Sequence, residues 1–234
     1  LGAGDCAKAA AWFDALRPSR YIAIDIAGDE IETAISGLAS RHPDVEMLGV
    51  VADFAQGLAI DDVLGGSPAI FFYPGSSIGN FAPADAAAFI ATIARLCRER
   101  PGSGILIGVD TVKDAARLTA AYDDSQGITA AFNRNVLRNV NRIAGTDFDP
   151  DAFIHRARYD ALENRIEMYL EASDAQVVMI DGQARSFAKG ERIHTENSYK
   201  YSPADFSALL ADAGFATVDL WQDTARDFAV YYAR

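Results

Sequence analysis

The sequence predicts a doubly wound α/β fold, in which helices cover both faces of a mostly parallel sheet. Short apolar runs alternate with segments of helical periodicity over the first half of the chain, and this alternation is typical of a parallel sheet. A helix and two apolar runs close the chain and predict an antiparallel hairpin at the edge of that sheet. Between these two parts the alternation stops, which predicts an inserted lobe.

Apolar runs predict four strands of the sheet, at 21–26, 45–51, 69–75 and 104–110. Apolar residues at helical spacing predict three helices between them, at 5–16, 29–41 and 83–100. Pro83 stands near the start of the last helix, where proline is favoured. The chain starts at "LGAGD", without a Met or a signal-like segment, and these residues resemble the end of a buried strand. We therefore expect that part of a first strand precedes them.

The insertion is predicted to contain two helices followed by two antiparallel strands around a polar turn, at 113–124, 127–144, 165–172 and 175–181. After it the regular pattern resumes with a helix at 203–213, which Gly214 is expected to end. Two closing strands follow, at 215–223 and 227–234. The sequence therefore predicts a core of residues 1–111 with 201–234 and an inserted lobe of residues 112–200.

Composition excludes several classes of function. The chain has 33 acidic and 21 basic residues, and the resulting net charge of −12 repels phosphate backbones and anionic lipid surfaces. No apolar run approaches the ~20 residues that span a bilayer. Cys6 and Cys97 imply no disulfide framework, and the three histidines show no metal-ligand spacing. We expect a cytoplasmic monomer that acts on a small molecule, without nucleic acid, membrane or metal.

The segment "PGSSIGN" contains the Gly-x-Ser-x-Gly spacing of a serine nucleophile on a strand-to-helix turn. Asp110 and either His155 or His194 follow Ser77 and would complete the triad of an α/β hydrolase. The next helix, however, is predicted to begin near Pro83, too far from Ser77 for such a turn. We therefore favour a binding loop at the end of a strand, with the hydrolase as the alternative.

Two glycines and a carboxylate predict a nucleotide-cofactor site. Gly2 and Gly4 lie between the truncated strand and a helix, where glycines let a cofactor approach the backbone and the helix start offers free N–H groups. Asp25 ends the next strand, where a carboxylate can accept hydrogen bonds from both ribose hydroxyls. The three residues together carry more weight than the glycines alone.

Asp53 and Phe54 follow the strand at 45–51 and bear on which cofactor binds. An acidic residue there can accept from an adenine amino group, and an aromatic ring can flank the base. The Gly-x-Gly-x-x-Ala spacing of Gly2, Gly4 and Ala7 still permits a dinucleotide. However, the closing helix and antiparallel hairpin are typical of class I methyltransferases and uncommon in dehydrogenases. The residues therefore favour S-adenosylmethionine (SAM) as co-substrate.

Longer segments along nearly the whole chain are similar to one known family. They are "LGAGDCAKA", "FYPGSSIGNF", "AYDDSQGITAAFNRNVLRNVNR", "DFDPDAF", "RIEMYLEA" and "IHTENSYKY". Through them the chain resembles the histidine-specific Nα-methyltransferases, which form hercynine in ergothioneine biosynthesis. The resemblance implies a class I, Rossmann-like fold and SAM-dependent trimethylation of the α-amine of L-histidine. The same fold acting on another amino acid such as tryptophan, or binding cofactor without methyl transfer, remains open.

The resemblance also implies roles for residues at matching positions. The residues implied for SAM are Gly2, Gly4, Lys8, Asp25, Asp53 and Phe54. The residues implied for the amino acid are Gly75, Ser77, Asn80, Tyr122, Met168, Glu196 and Ser198. Asn80 would face the amino and carboxylate groups, Tyr122 would bind the carboxylate, and both are the catalytic candidates. Met168, Glu196 and Ser198 would shape the imidazole pocket, and the last two share one face of an extended segment.

Overall fold

The computed structural model describes residues 1–53, 58 and 60–234 of the chain. Phe54, expected beside the adenine, lies outside the described residues. The chain divides into two compact units. Unit 1 comprises Leu1–Thr111 and Tyr201–Arg234, and unit 2 comprises Val112–Lys200. The assignment of unit 1 to cofactor binding and of unit 2 to substrate binding stays a prediction.

The described residues form the following elements. The helices are α1 (Ala7–Ala10), α2 (Phe13–Leu16), α3 (Gly28–Arg41), α4 (Asp61–Leu64), α5 (Pro83–Arg98), α6 (Ala115–Tyr122), α7 (Ile128–Ala144) and α8 (Pro203–Asp212). The strands are β1 (Arg20–Asp25), β2 (Glu46–Val51), β3 (Ile70–Tyr73), β4 (Gly104–Asp110), β5 (Phe153–Asp160), β6 (Arg165–Ala172), β7 (Gln176–Ile180), β8 (Gln183–Phe187), β9 (Arg192–Tyr199), β10 (Val218–Gln222) and β11 (Phe228–Ala233).

Unit 1 contains a parallel pair, β1 with β2, and a four-stranded sheet in the order β10-β11-β4-β3. In the second sheet β3 is parallel to β4, and β11 is antiparallel to both β4 and β10. Residues 1–3 link the two sheets, because Leu1 N donates to Phe72 O (2.8 Å) and Ala3 N donates to Ile24 O (3.2 Å). The parallel core and the closing antiparallel hairpin are therefore confirmed.

The core of unit 1 lies on the faces of this second sheet. Ile90, Ile93 and Leu96 of α5 lie three residues apart, on one face of the helix, and have no exposed surface. Ile105 and Ile107 of β4 are equally buried. Each such side chain stabilises the fold by about 1.5–3 kcal/mol relative to an exposed position. The near-continuous apolar run of β4 follows from its cover on both faces.

One helix expected at 5–16 is instead two short helices, α1 and α2. Trp12 N donates to Ala9 O (3.0 Å), a bond across three residues that tightens the turn between them. Arg17, with φ 44°, ends α2 in a left-handed conformation. Helices of one turn are unstable by themselves, so packing of the buried Phe13 holds this segment in place.

Unit 2 contains α6, α7, the antiparallel sheet β5-β6-β9 and the hairpin β7-β8. The expectation that residues 165–172 and 175–181 pair with each other was wrong, because β6 pairs with β5 and β9, and β7 pairs with β8. Three strands, β5, β8 and β9, were missed because polar residues interrupt their apolar pattern. In β5, for example, the buried positions alternate as Phe153 and His155. None of the helices in the described ranges has the length and apolarity required to cross a membrane.

Candidate functional site

The loop before α1 holds both glycines of the proposed cofactor site. Gly2 (φ 59°) and Gly4 (φ 49°) have left-handed backbone conformations, which glycine adopts without strain. A Cβ at Gly4 would meet no heavy atom within 4 Å. Glycine is thus favoured at position 4 by its φ angle, and the space beside it is open. Open space beside exposed backbone is what close approach of a ligand needs.

Asp25, at the end of β1, is fixed by backbone N–H groups. Its Oδ2 accepts from Gly4 N (3.0 Å), and its Oδ1 accepts from Ile26 N (2.8 Å) and Ala27 N (3.3 Å). An ionised carboxylate has about four acceptor positions. Three are used by the chain itself, so the geometry leaves about one for a ribose hydroxyl rather than two.

Lys8 and Asp53 lie near the same edge of unit 1. Lys8 is exposed on α1, and its Nζ would be 3.9 Å from a Cβ added at Gly75. Asp53 is exposed and follows β2, whose last residue Val51 stands opposite Asp25 in the parallel register. The structure therefore brings Lys8 close to the loop after β3 and places Asp53 next to the end of β1.

A cavity of about 920 Å³ in unit 1 joins the glycine loop to the loop after β3. It is lined by Gly2, Gly4, Lys8, Gly75 and Ser77, among others, and continues along β1 and β3 to their first residues. Asp25 and Asp53 do not line it. The cavity therefore includes part of the predicted cofactor site and two of the predicted substrate residues.

The loop after β3 is fixed across the end of β4. Ser76 N donates to Gly108 O (3.1 Å), and Asp110 N donates to Ser76 Oγ (2.8 Å). A Cβ at Gly108 would lie 2.3 Å from Pro74 O, so only glycine permits this approach. Asn80, at the end of the loop's 3-10 turn, is exposed. The side chain expected to face the amino acid is therefore accessible.

Ser77 does not occupy a strand-to-helix turn. It begins the 3-10 turn Ser77–Asn80, and α5 begins only at Pro83. Burial raises the pKa of Tyr73, and the hydrogen bond between the Tyr73 and Ser77 side chains acts in the opposite direction. The Ser77 hydroxyl is thus engaged with a phenol, and the structure favours the binding-loop interpretation over a nucleophile.

In unit 2, the predicted imidazole-pocket residues lie on neighbouring strands. Met168 of β6 stands opposite Glu196 of β9, and Ile166 stands opposite Ser198. A register shift between Met168 and Tyr169 makes the pairing irregular at this point. Met168 is buried, and Glu196 is half-buried. The face that carries these side chains is the face on which α6 packs.

Tyr122, the last residue of α6, joins Ser198 and a lysine that the sequence interpretation missed. The Tyr122 hydroxyl lies 2.7 Å from Ser198 Oγ. Lys200 Nζ donates to the Tyr122 hydroxyl (2.7 Å) and to Ser198 Oγ (2.8 Å). Lys200 continues the alternation of Glu196 and Ser198 along the strand, and that spacing was a signal for it.

The end of α6 is held by a buried histidine. His155 Nε2 lies 2.7 Å from Tyr122 O, and His155 Nδ1 lies 2.9 Å from Asn133 Nδ2. A carbonyl only accepts, so Nε2 carries the hydrogen and Nδ1 accepts from the Asn133 amide. Asn133 Nδ2 also donates to Tyr169 O (3.1 Å). This chain of bonds ties the backbone of Tyr122 to α7 and β6.

Glu167 and Glu196 of this sheet have opposite electrostatic environments. Burial raises the pKa of Glu196, and the charge of Lys200 partly offsets that rise. Glu167 accepts from the Tyr169 hydroxyl (2.6 Å) and from Arg158 and Arg165 (2.7 Å each). These bonds outweigh burial and lower the pKa of Glu167 to about 2. Glu167 is therefore a structural anion, whereas Glu196 is an accessible carboxylate.

Comparison with protein families gives one full-length match. The family model described as "Histidine-specific methyltransferase, SAM-dependent" matches residues 1–234. The chain is 40% identical over 240 residues to the histidine N-alpha-methyltransferase of Mycolicibacterium smegmatis, covering 100% of this chain and 73% of that protein. It is 31% identical over 230 residues to ergothioneine biosynthesis protein 1 of Neurospora crassa, covering 94% of this chain and 26% of that protein.

Solved structures support the fold. A SAM-dependent methyltransferase from Clostridium acetobutylicum superposes with a TM-score of 0.54 at 10% identity, over 100% of this chain and 81% of that chain. The SAM-dependent methyltransferase SibL superposes with a TM-score of 0.51 at 15% identity, over 99% of this chain and 48% of that chain. Both are similar in fold, and they confirm the α/β class.

Proposed function

Because the chain belongs to the family of histidine-specific, SAM-dependent methyltransferases, we propose that it trimethylates the α-amine of L-histidine to hercynine. The observation that carries this function is the family match over the whole chain, together with 40% identity to an enzyme named for that reaction. Hercynine formation assigns the protein to ergothioneine biosynthesis. The Neurospora crassa relative is named for the same pathway.

Unit 1 suits SAM as the methyl donor. SAM supplies an electrophilic methyl group on a sulfonium. The residues proposed to hold it are Gly2, Gly4, Lys8, Asp25 and Asp53. The open space at Gly4 suits a ligand lying against the backbone, and the remaining acceptor position of Asp25 suits one ribose hydroxyl. Asp53 is exposed and can accept from an adenine amino group.

Unit 2 suits the side chain of histidine. Glu196 offers a half-buried carboxylate to an imidazole N–H, and Ser198 offers a hydroxyl beside it. Met168 closes the apolar side of this face. A site built on hydrogen bonds rejects analogues that leave its polar groups unpaired, whereas an apolar wall discriminates only by shape. Glu196 and Ser198 therefore carry the proposed preference for histidine.

The backbone atoms of the amino acid are assigned to other residues. Asn80, exposed at the end of its 3-10 turn, is proposed to orient the amino group, with Gly75 and Ser77 beside it. Tyr122 is proposed to bind the carboxylate. Methyl transfer needs the amine lone pair aligned with the sulfonium methyl group. Such positioning can contribute up to ~7–11 kcal/mol, so little covalent chemistry is required of the chain.

The net charge of −12 supports the further proposal of an enzyme that binds neither nucleic acid nor anionic membranes. We propose a cytoplasmic monomer. Light scattering during size-exclusion chromatography tests the oligomeric state, and a mass of twice the chain would contradict it. The protein should pass through a nucleic-acid column without being retained at low salt. Retention that is released by added salt would contradict the charge argument.

Mass spectrometry of a reaction with L-histidine and SAM tests the function. The expected product carries three added methyl groups and loses neutral trimethylamine on fragmentation, because all three are on the α-nitrogen. L-tryptophan supplied in equal amount should remain unmodified. A product methylated on the ring, or methylation of tryptophan in preference to histidine, would overturn the proposed substrate.

A further inference from the structure

Lys200 is a buried lysine in the polar cluster of unit 2. It is 3% exposed, although lysine side chains are rarely buried unless they are paired. Its ammonium donates to the Tyr122 hydroxyl and to Ser198 Oγ, and it lies 4.6 Å from the centre of the Tyr122 ring. The charge of Lys200 also acts on Glu196. The ammonium is thus in contact with the proposed substrate-binding residues.

The three polar groups form a closed triangle of hydrogen bonds. An ammonium only donates, so the two oxygens both accept from Lys200. The third side joins Tyr122 and Ser198 at 2.7 Å, and either oxygen can be its donor. A phenol is a stronger acid than an aliphatic alcohol, so Tyr122 is the better donor. Ser198 then accepts twice, from Lys200 and Tyr122.

With both acceptor positions filled, Ser198 can only donate its own hydrogen to a ligand. Glu196, two residues earlier on the same face, can only accept when it is ionised. The pair therefore presents one donor and one acceptor. A neutral imidazole has one ring nitrogen that accepts and one that donates, and it matches this pair.

We propose that Lys200 is a positioning residue for the amino-acid substrate, which acts by making Ser198 a hydrogen-bond donor to the unprotonated ring nitrogen of histidine. This inference rests on the proposed function and extends it. Without Lys200, Ser198 regains an acceptor position and is no longer restricted to donating, so the site distinguishes a ring nitrogen less strongly from a ring atom that cannot accept. The preference for histidine over an isosteric ring without nitrogen should then decrease.

Steady-state kinetics with two substrates tests the proposal. Lys200→Met keeps a side chain of similar length and removes the donors. We expect its KM for L-histidine to rise about tenfold, with a smaller change in kcat. We expect the ratio of kcat/KM for L-histidine to that for 3-(2-thienyl)-L-alanine to fall about tenfold as well. Structural damage would lower kcat/KM for both substrates together and leave their ratio unchanged.

Matched variants sharpen the test. Ser198→Ala should reduce the same ratio, and the double variant should reduce it no further, because both act through one hydrogen bond. Lys189→Met is the control, since Lys189 is an exposed lysine of the same unit paired with Asp174 (3.0 Å). Lys200→Leu, which also lacks a donor, replaces Lys200→Met if the latter does not fold, as judged by its thermal midpoint.

The outcomes separate this proposal from the proposed function. If the wild-type protein methylates histidine and Lys200→Met keeps the wild-type substrate ratio, the role of Lys200 is overturned and the function stands. If the substrate ratio falls in the double variant by the product of the two single-variant decreases, Lys200 does not act through Ser198. If the wild-type protein neither binds nor methylates histidine, both proposals fail.

Discussion

The glycine loop of unit 1 and the β9 face of unit 2 present polar groups in different ways. The glycine loop of unit 1 offers backbone atoms, and the neighbouring Asp25 is fixed by three N–H groups. In unit 2 the polar groups are side chains in mutual contact, of which Ser198 and Lys200 are buried. Backbone groups bind a cofactor with little dependence on sequence, whereas a few side chains decide which amino acid binds. Substitutions in unit 2 should therefore change the substrate preference.

Asp25→Ala should have the largest effect, because it removes a side chain that joins the glycine loop to the end of β1. We expect the affinity for S-adenosylhomocysteine to fall about 100-fold, since hydrogen bonds to a charged group contribute about 1.5–3 kcal/mol each. Isothermal titration measures this. Asp29→Ala, an exposed aspartate in the first turn of α3, serves as the control. Equal affinity of the Asp25 variant and the control would contradict the role of Asp25.

Glu196→Gln should affect the amino acid and spare the cofactor. We expect KM for L-histidine to rise about 30-fold, because a neutral amide replaces the carboxylate that accepts from the ring N–H. The thermal midpoint and the affinity for S-adenosylhomocysteine should change little. The control is Glu163→Gln, at an exposed position between β5 and β6. An unchanged KM for histidine would remove Glu196 from the substrate site.

Glu167 should affect stability and its pH dependence rather than substrate preference. Its pKa of about 2 lies below that of an unfolded carboxyl group, so its contribution is full above about pH 5 and is lost as pH falls toward 2. We expect Glu167→Gln to reduce the free energy of unfolding by about 2 kcal/mol at pH 7. Urea unfolding of both proteins at several pH values tests this. If the difference in unfolding free energy between the two proteins grew below pH 4, this role of Glu167 would be contradicted.

Ser77→Ala should have the smallest effect. The hydroxyl contacts Tyr73 and occupies no strand-to-helix turn, so we expect kcat/KM for histidine to stay within about threefold of wild type. A fluorophosphonate probe should label neither protein. Labelling that disappears in the Ser77 variant would instead support the hydrolase interpretation.

The same two regions differ in how far the sequence predicts them. In unit 1 the strands are continuous apolar runs between helices, and β4 was predicted with its observed ends. The position of Asp25 beside the glycine loop follows from the parallel order of the strands, so spacing alone could indicate it. The break between α1 and α2 was not predictable, because it depends on the packing of Phe13.

In unit 2 the sequence patterns were weaker. β5 places His155 inward, and that position is acceptable only because Asn133 and the Tyr122 carbonyl bond to the ring. Local periodicity does not contain those long-range partners. Lys200 was missed for a related reason, since a lysine is usually exposed and only the packed structure shows its burial. The resemblance named Tyr122, Glu196 and Ser198, and these remain predictions until they are tested.

We propose that unit 1 binds the cofactor and that unit 2 selects the amino acid. This division is tested directly by titrating S-adenosylhomocysteine, and then L-histidine in its presence, into wild type, Asp25→Ala and Glu196→Gln. We predict that Asp25→Ala loses affinity for S-adenosylhomocysteine. We predict that Glu196→Gln keeps that affinity and loses affinity for histidine. Loss of S-adenosylhomocysteine affinity in the Glu196 variant, or unchanged histidine affinity in it, would contradict the account.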